Sequence, residues 1–100
     1  MSKRKRPFPI RTYQILALLS DEGAWTTMEV AGDLGVSRQL ARDVLERMRS
    51  RREVTKARSG RTIEVGGVDR ELNEYAYTIT DRGFKRHKYL DKRAERERKG

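Results

Sequence analysis

The chain has 100 residues, of which 35% are hydrophobic and 39% charged, and its formal net charge is +9. This length suits one small domain, and so few apolar residues leave little room for a catalytic pocket in its core. The absence of cysteine excludes disulfides and thiolate metal sites, and a single histidine, His87, argues against a histidine-based metal or Ser–His site. We therefore expect a protein without enzymatic activity, cofactor or bound metal.

The positive charge is concentrated in three blocks. Residues 1–11 carry five bases and no acids, residues 38–62 nine bases against three acids, and residues 81–100 nine bases against four acids. The two segments between them, 12–37 and 63–80, are acidic. This separation favours a basic face and a polyanionic partner such as nucleic acid over a surface with evenly mixed charge.

The sequence shows no sign of a membrane segment or a secretion signal. A membrane-spanning helix needs about 18 or more consecutive apolar residues, and no such run occurs. The basic start MSKRKRPFP is followed by IRTYQILALLS, whose polar residues make a poor signal-peptide core. We expect a cytoplasmic, nucleoid-associated protein, or a nuclear one if the host is eukaryotic.

Residues 1–9 are predicted to be a flexible basic arm, because they hold four consecutive bases and two prolines without apolar periodicity. If the partner is DNA, the best interpretation of KRKR is an arm that enters the minor groove. A nuclear import signal and a solubilising tail are the alternatives.

Three helices are predicted after this arm. Apolar residues at helical spacing in IRTYQILALLS predict a helix over residues 10–20, which SDEG ends. After the short extended piece AWT, the capping box TTME begins a helix over residues 27–34, and Gly35 ends it. Ser37 caps a third helix, which continues to about Ser50.

Strands and a last helix follow. VTKAR and RTIEV alternate like two strands of a hairpin around Ser59-Gly60, GGVDRELN is predicted to be a loop, and EYAYTI a further strand. Thr80 caps the final helix. We therefore expect the order α-(β)-α-α-β-β-α in one domain over residues 10–92, with a charged C-terminal tail over residues 93–100.

Two segments resemble a known family. In VAGDLGVSRQLARDVLERMRSRREV, a small residue, a glycine turn and a capped helix follow one another as in a helix-turn-helix. YTITDRG is similar to the Tyr-x-Leu-Thr-x-x-Gly stretch that leads from the wing into the last helix of MarR-like and PadR-like winged-helix regulators. The resemblance implies an α+β, mainly α, fold: a winged helix-turn-helix with a three-helix bundle, a β-hairpin wing and a C-terminal helix.

The third helix has one apolar and one polar side. At about 100° per residue, its apolar residues cluster on one side and its polar residues point away. The predicted buried side comprises Leu40, Ala41, Val44 and Met48, and the predicted exposed side comprises Gln39, Arg42, Asp43, Glu46 and Arg49, with Arg38 at the margin. The exposed side is thus free for a ligand.

The resemblance implies a role for particular residues. Arg38, Gln39 and Arg42 occupy base-reading positions, while Thr27 and Ser37 would bind phosphate at helix N-termini. Wing arginines would meet the minor groove or the backbone. The full set of predicted DNA-binding residues is Lys3, Arg4, Lys5, Arg6, Thr27, Ser37, Arg38, Gln39, Arg42, Arg49, Arg58 and Arg61.

Acidic residues fit this interpretation less well. Glu46 and Asp43 lie on the presumed DNA side, and the i,i+4 pairs Arg42–Glu46 and Asp43–Arg47 would only hold the arginines in place. Residues 64–74 carry four acids and one base, so the tip of the wing should avoid DNA or contact a protein partner.

Trp25, Tyr75, Tyr77 and Phe84 are expected in the core rather than stacked on nucleic-acid bases, and His87 is expected to be partly exposed. A homodimer through the first helix and Phe84–Leu90 is predicted. Three functions remain open: a regulator that binds specific double-stranded DNA, with no small-molecule effector evident; a nonspecific nucleic-acid binder; and a winged helix that docks on proteins.

Overall fold

Four helices and five strands follow one another in residues 8–21 and 23–99, the part of the chain that the computed structural model describes. They are α1 (Ile10–Asp21), β1 (Trp25–Thr26), α2 (Thr27–Leu34), α3 (Arg38–Ser50), β2 (Val54–Arg58), β3 (Thr62–Val65), β4 (Val68–Glu71), β5 (Tyr75–Ile79) and α4 (Asp81–Lys99). The mainly helical winged-helix prediction is confirmed, with one strand more than the sequence indicated.

The predicted caps of α2 and α3 are present. The Thr26 hydroxyl accepts from the Glu29 backbone N–H at 3.2 Å, and the Glu29 carboxylate accepts from the Thr26 N–H at 3.0 Å. Gly35 ends α2 in the left-handed conformation, with φ of 66°. Ser37 then caps α3, because its hydroxyl accepts from the Leu40 N–H at 3.1 Å. These caps fix the turn between α2 and α3.

The core lies between the three N-terminal helices, the sheet and one face of α4. Its buried apolar residues are Ile15, Leu16, Leu19, Val30, Ala31, Ala41, Val44, Leu45, Met48, Val54, Tyr77 and Leu90. Full burial of an aliphatic side chain of this size contributes about 1.5–3 kcal/mol. Leu40 was wrongly predicted to be buried: it is 37% exposed, because Ala41 and Leu45 occupy the inner face of α3 instead.

The start of α4 explains a glycine in the YTITDRG segment. The Thr80 hydroxyl accepts from the Gly83 N–H at 3.1 Å and donates to the Arg52 carbonyl at 2.6 Å. A Cβ on Gly83 would lie 2.2 Å from the Glu53 carbonyl oxygen, so only glycine fits this close approach. The first turn of α4 is therefore fastened to the chain just before β2.

The wing differs from the prediction. β5 pairs antiparallel with both β1 and β2, while β3 pairs with β4, with Val65 opposite Val68. The chain reverses at Gly66-Gly67, where φ is 61° and 79°, as a two-residue hairpin turn of the primed type requires. The predicted turn at Ser59-Gly60 is therefore wrong, and the predicted loop GGVDRELN contains the turn and β4.

The two halves of the wing form one bent ribbon. The pairing register is the same in the β2–β5 and β3–β4 halves. Between them, the Ser59 N–H donates to the Glu74 carbonyl at 2.9 Å, and the Leu72 N–H donates to the Arg61 carbonyl at 2.8 Å. Ser59-Gly60 thus lies at a bend in the middle of the ribbon, at the base of its outer half.

Helix α4 continues through residues 93–99, for which the sequence predicted a charged tail. Leu90 is buried within the chain, so the predicted dimer contact through Phe84–Leu90 cannot use it. Among the described residues, no helix is both long enough and apolar enough to cross a bilayer.

The aromatic residues are divided between core and surface. Tyr77 is buried and Trp25 is half-buried, as predicted. Tyr75 and Phe84 are 42% and 43% exposed, so their predicted place in the core is wrong. Phe84 faces outward because its neighbour Gly83 takes the inner face of α4. His87 is partly exposed, as predicted, and its ring stacks on that of Tyr13.

Candidate nucleic-acid interface

A groove of about 700 Å³ runs between α3, the N-terminus of α2 and the base of the wing. It is lined by Thr26, Thr27, Met28, Arg38, Gln39, Arg42, Lys56, Asn73, Glu74, Tyr75 and Tyr77. Four of the residues predicted from the sequence, Thr27, Arg38, Gln39 and Arg42, therefore share one surface. Cationic groups outnumber the single carboxylate in this lining.

The exposed face of α3 presents two guanidinium groups. Within residues 8–21 and 23–99, neither Arg38 nor Arg42 forms an ion pair. The Gln39 amide donates one hydrogen bond, of 2.8 Å, to the Asp43 carboxylate. Gln39 thereby has a preferred orientation, while both arginines are free to bind an anionic or hydrogen-bonding ligand.

Glu46 lies between α3 and the sheet instead of on the open face. Its carboxylate accepts a 2.6 Å hydrogen bond from the Tyr77 hydroxyl, and forms ion pairs with Arg49 at 3.0 Å and Lys56 at 3.5 Å. The predicted Arg42–Glu46 pair is therefore wrong, because Tyr77 draws the carboxylate toward the sheet. Arg49, predicted to bind DNA, is held in this cluster.

The two members of this hydrogen bond have shifted pKa values. The Tyr77 hydroxyl, together with Arg49 and Lys56, lowers the pKa of Glu46 to about 2, against the opposing effect of its partial burial. Burial, and then the neighbouring Glu46 carboxylate, raise the pKa of Tyr77 to about 12. At neutral pH, a charged Glu46 is therefore bonded to a protonated Tyr77.

The second predicted pair on α3 also differs. Asp43 accepts from Gln39, and the Arg47 Nε donates to the Asp43 backbone carbonyl at 3.4 Å rather than to its carboxylate. The predicted Asp43–Arg47 ion pair is thus wrong. Asp43 instead orients a predicted base-reading side chain.

The arginines at the base of the wing are held by acids. Arg61 forms ion pairs with Glu29 at 3.2 Å and Glu74 at 3.0 Å, and Arg58 lies 3.8 Å from Glu71. The backbone N–H of Thr26 lowers the pKa of Glu29, and Arg61 lowers it further. Arg61 therefore joins the wing to the start of α2, and its contact with DNA stays a prediction.

Lys56 and Tyr75 line the groove but were not among the predicted site residues. The Lys56 ammonium lies 4.9 Å from the centre of the Tyr75 ring and 5.8 Å from that of Tyr77. Strand alternation could have indicated Lys56, because it shares a face of β2 with the buried Val54. The same alternation places Tyr75 on the face of β5 that carries the buried Tyr77.

Ser37 and the four bases of the predicted N-terminal arm complete the predicted set. The Ser37 hydroxyl is occupied as the cap of α3 and does not line the groove, so its contact with phosphate stays a prediction. Lys3, Arg4, Lys5 and Arg6 lie outside the described residues.

The outer half of the wing carries the predicted acidic tip. Glu64 lies directly opposite Asp69, and Thr62 directly opposite Glu71. Because paired residues of a hairpin share a face, three carboxylates lie on one face of the outer wing. This face lacks the charge needed to contact phosphate.

No protein-family profile and no curated protein sequence matches this chain. Solved structures do resemble it. PcaV from Streptomyces coelicolor, in complex with its natural ligand, has a TM-score of 0.73 and 21% identity over 95% of this chain and 59% of its own. BpsR from Bordetella bronchiseptica has a TM-score of 0.68 and 19% identity over 86% of this chain and 54% of its own.

A MarR-family protein from Bacillus stearothermophilus has a TM-score of 0.63 and 15% identity over 92% of this chain and 57% of its own. These likenesses show that the chain has the winged-helix fold of MarR-type regulators. It spans less than two thirds of the length of these three chains. DNA binding by BpsR is regulated by 6-hydroxynicotinic acid. For the present chain, the expectation of no small-molecule effector stays a prediction.

Proposed function

We propose that this protein is a transcriptional regulator that binds specific sequences of double-stranded DNA, with α3 in the major groove and the base of the wing against the backbone. The observation that carries this proposal is the groove in which Arg38, Gln39 and Arg42 share one surface with Thr27 and Lys56. The winged-helix fold supports it, because such folds present a helix at this place to the major groove.

The chemistry of α3 suits the edges of base pairs. An arginine without an ion pair can donate two hydrogen bonds to guanine O6 and N7. Gln39 gives one amide hydrogen to Asp43, and retains a second hydrogen and its carbonyl oxygen for adenine N7 and N6. Each bidentate contact of this kind favours the correct base over a wrong one by about 1–3 kcal/mol of binding free energy.

The surroundings of α3 suit phosphates. Thr27 begins α2, whose free backbone N–H groups and helix dipole favour an anion. Lys56 adds a cation on the opposite wall of the groove. Contacts of this type position a protein on the duplex and supply affinity without reading the sequence.

Glu46 would be a cost to DNA binding if it faced the phosphates. Its hydrogen bond with Tyr77 and its ion pairs with Arg49 and Lys56 turn it toward the sheet. The charge of Glu46 is therefore compensated within the protein, whereas Asp43 stays exposed and accepts a hydrogen bond from the Gln39 amide.

In vitro selection of bound duplexes from a random pool tests this proposal. We expect enrichment of a short motif, because the face of α3 that carries Arg38 and Arg42 reads only a few base pairs. Two motif copies about one helical turn apart would indicate a dimer, and one copy would indicate a monomer. Retention of duplexes without enrichment would contradict sequence-specific binding and favour a nonspecific binder.

Failure to retain any duplex at about 50 mM salt would reject DNA as the partner, because binding through phosphates is strong under that condition. The acidic tip of the wing would then favour the protein-docking function. Selection with single-stranded RNA and DNA pools in parallel controls for the nature of the nucleic acid.

A further inference from the structure

The outer half of the wing has one apolar face. Ile63, Val65 and Val68 are each about half exposed, and they lie on the same face because Val65 is paired with Val68 and strands alternate with a period of two. Arg70, opposite Ile63, completes this face. The other face carries Glu64, Asp69 and Glu71.

This part of the wing is unfavourable as a free surface. Like charges directly opposite each other destabilise a hairpin, and Glu64 and Asp69 form no ion pair with any described residue. Exposed aliphatic side chains at the tip of a hairpin add an apolar surface without a covering element. Carboxylates also repel DNA. The wing tip, defined as residues 62–71, therefore fits a partner that is both cationic and apolar.

A second groove, of about 230 Å³, has this complementary character. It lies between the N-terminus of α1 and the flank of α3, and its lining comprises Pro9, Ile10, Arg11, Thr12, Leu40, Val44, Arg47, Met48 and Arg51. Half of the Ile10 surface and 37% of the Leu40 surface are exposed. We name this surface the α1–α3 groove.

The three arginines of this groove have no carboxylate partner among the described residues. Arg11 donates to the Gln14 side-chain oxygen at 3.2 Å, and Arg47 donates to the backbone carbonyl of Asp43. Arg51 ends α3, and its side chain is exposed. The groove thus combines an apolar floor with uncompensated positive charge, whereas the wing tip combines apolar side chains with uncompensated negative charge.

We propose that the wing tip of one copy of this protein docks in the α1–α3 groove of a second copy. The tip would enter end-on between the two walls of the groove. Val65 and Val68, on one face of the hairpin, would cover Ile10 on the α1 wall. Glu64 and Asp69, on the opposite face, would meet Arg47 and Arg51 on the α3 wall.

The contact leaves the proposed DNA surface free. On α3, Arg47 and Arg51 point about 140–180° away from Arg42, given the helical period. The two partners use different surfaces, so the contact is head-to-tail, and a pair of copies retains one unused wing tip and one unused groove. Such contacts form open chains unless the geometry closes a ring. The inference goes beyond the proposed function and does not depend on it.

Sedimentation velocity of the full chain without DNA, over a range of concentrations up to about 1 mM, tests this contact. The surface involved is small, so we expect weak association, with a dissociation constant on the order of 0.1–1 mM. The tip variant Glu64→Lys with Asp69→Lys, and the groove variant Arg47→Glu with Arg51→Glu, should each weaken self-association about tenfold or more.

Mixing separates this contact from a symmetric dimer. The tip variant keeps an intact groove and the groove variant keeps an intact tip, and the reversed tip of the first also matches the reversed groove of the second. A mixture should therefore associate with alternating copies and with about the wild-type affinity. A chain that carries all four substitutions should associate with itself again, because both charges are reversed together. Association in the mixture also shows that both single-surface variants fold.

The matched controls change the net charge equally at other exposed sites. Asp21→Lys with Asp33→Lys serves for the tip variant, and Lys85→Glu with Lys88→Glu for the groove variant; both should leave association unchanged. The proposal is overturned if wild type stays monomeric throughout, if the tip and groove variants associate as wild type does, or if their mixture forms no complex.

Discussion

Among single residues, Glu46 has the largest influence on how the α3 surface is interpreted. Its position in the helix places it on the outer side, and an i,i+4 pair with Arg42 was the expectation. Its actual partner, the Tyr77 hydroxyl, is 31 residues away along the chain, so no local pattern could have revealed the contact. The outcome is an α3 face on which Arg38 and Arg42 form no ion pair with a described residue and the Glu46 carboxylate is already bound.

Replacing Tyr77 with phenylalanine should destabilise the fold. The substitution removes a hydrogen bond to a charged group, which contributes about 1.5–3 kcal/mol to the free energy of unfolding. Tyr75→Phe is the matched control. Because the Tyr75 side chain is exposed, this substitution should change the free energy of unfolding by no more than about 0.5 kcal/mol. Urea unfolding followed by circular dichroism measures both. Equal stability of the two variants would contradict the anchoring role of Tyr77.

Glu46 should also make stability depend on pH. Its pKa is about 2 in the folded protein and 4.5 without these contacts, so the charged form is favoured by folding. The resulting stabilisation is present above pH 4.5 and is lost as the pH falls from 4.5 toward 2. The stability difference between wild type and Glu46→Gln should therefore shrink over this range.

Urea midpoints at a series of pH values between about 7 and 2.5 measure this difference, since the linkage acts through the pH dependence of the unfolding free energy. Glu97→Gln, on the exposed side of α4, is the control and should show little pH-dependent difference from wild type. A constant difference between wild type and Glu46→Gln across the series would show that the Glu46 charge is not linked to folding.

At the scale of elements, the first three helices were predictable, whereas the turn of the wing and the end of α4 were not. The capping box at Thr26, the glycine turn and the Ser37 cap are local signals, and the observed bounds of α2 and α3 agree with them. The wing contains two turn signals, Ser59-Gly60 and Gly66-Gly67. The burial of Val54 and Tyr77 fixes the pairing of β2 with β5, and only this pairing selects Gly66-Gly67 as the turn.

The same limit applies to the candidate site. Helical periodicity was sufficient to place Gln39 and Arg42 on one exposed face, with Arg38 at its margin. The opposite wall of the groove, with Lys56 and Tyr75, depends on how the sheet packs against α3. Arg61 is likewise paired with Glu29 and Glu74, which come from two other segments that only the fold brings together.

The junction between the wing and α4 gives a prediction about packing. Gly83→Ala should destabilise the protein by about 1–3 kcal/mol or more, because overpacking at a backbone contact forces the helix to move. Gly32→Ala in α2 is the control and should stabilise the protein. Open space surrounds Gly32, and alanine is favoured over glycine inside a helix by about 0.5–1 kcal/mol. Thermal unfolding measures both, and a neutral Gly83→Ala would contradict the close approach to Glu53.

For the whole molecule, the distribution of charge matters more than the net charge of +9. The groove between α3 and the base of the wing is cationic, while the wing tip is anionic and apolar. A duplex on the groove would therefore contact α3 and the base of the wing, with the tip directed away from the phosphates. The tip is then available for a neighbouring copy.

The central claim is that the Arg42 face of α3 reads base pairs. Its most direct test measures the affinity of wild type, Arg42→Ala and the control Arg82→Ala for the selected duplex and for its single-base-pair variants. We predict that Arg42→Ala loses about 1–3 kcal/mol on the selected duplex and no longer discriminates at one position, whereas Arg82→Ala behaves as wild type. An equal loss on every duplex, or no loss at all, would contradict base reading by this face.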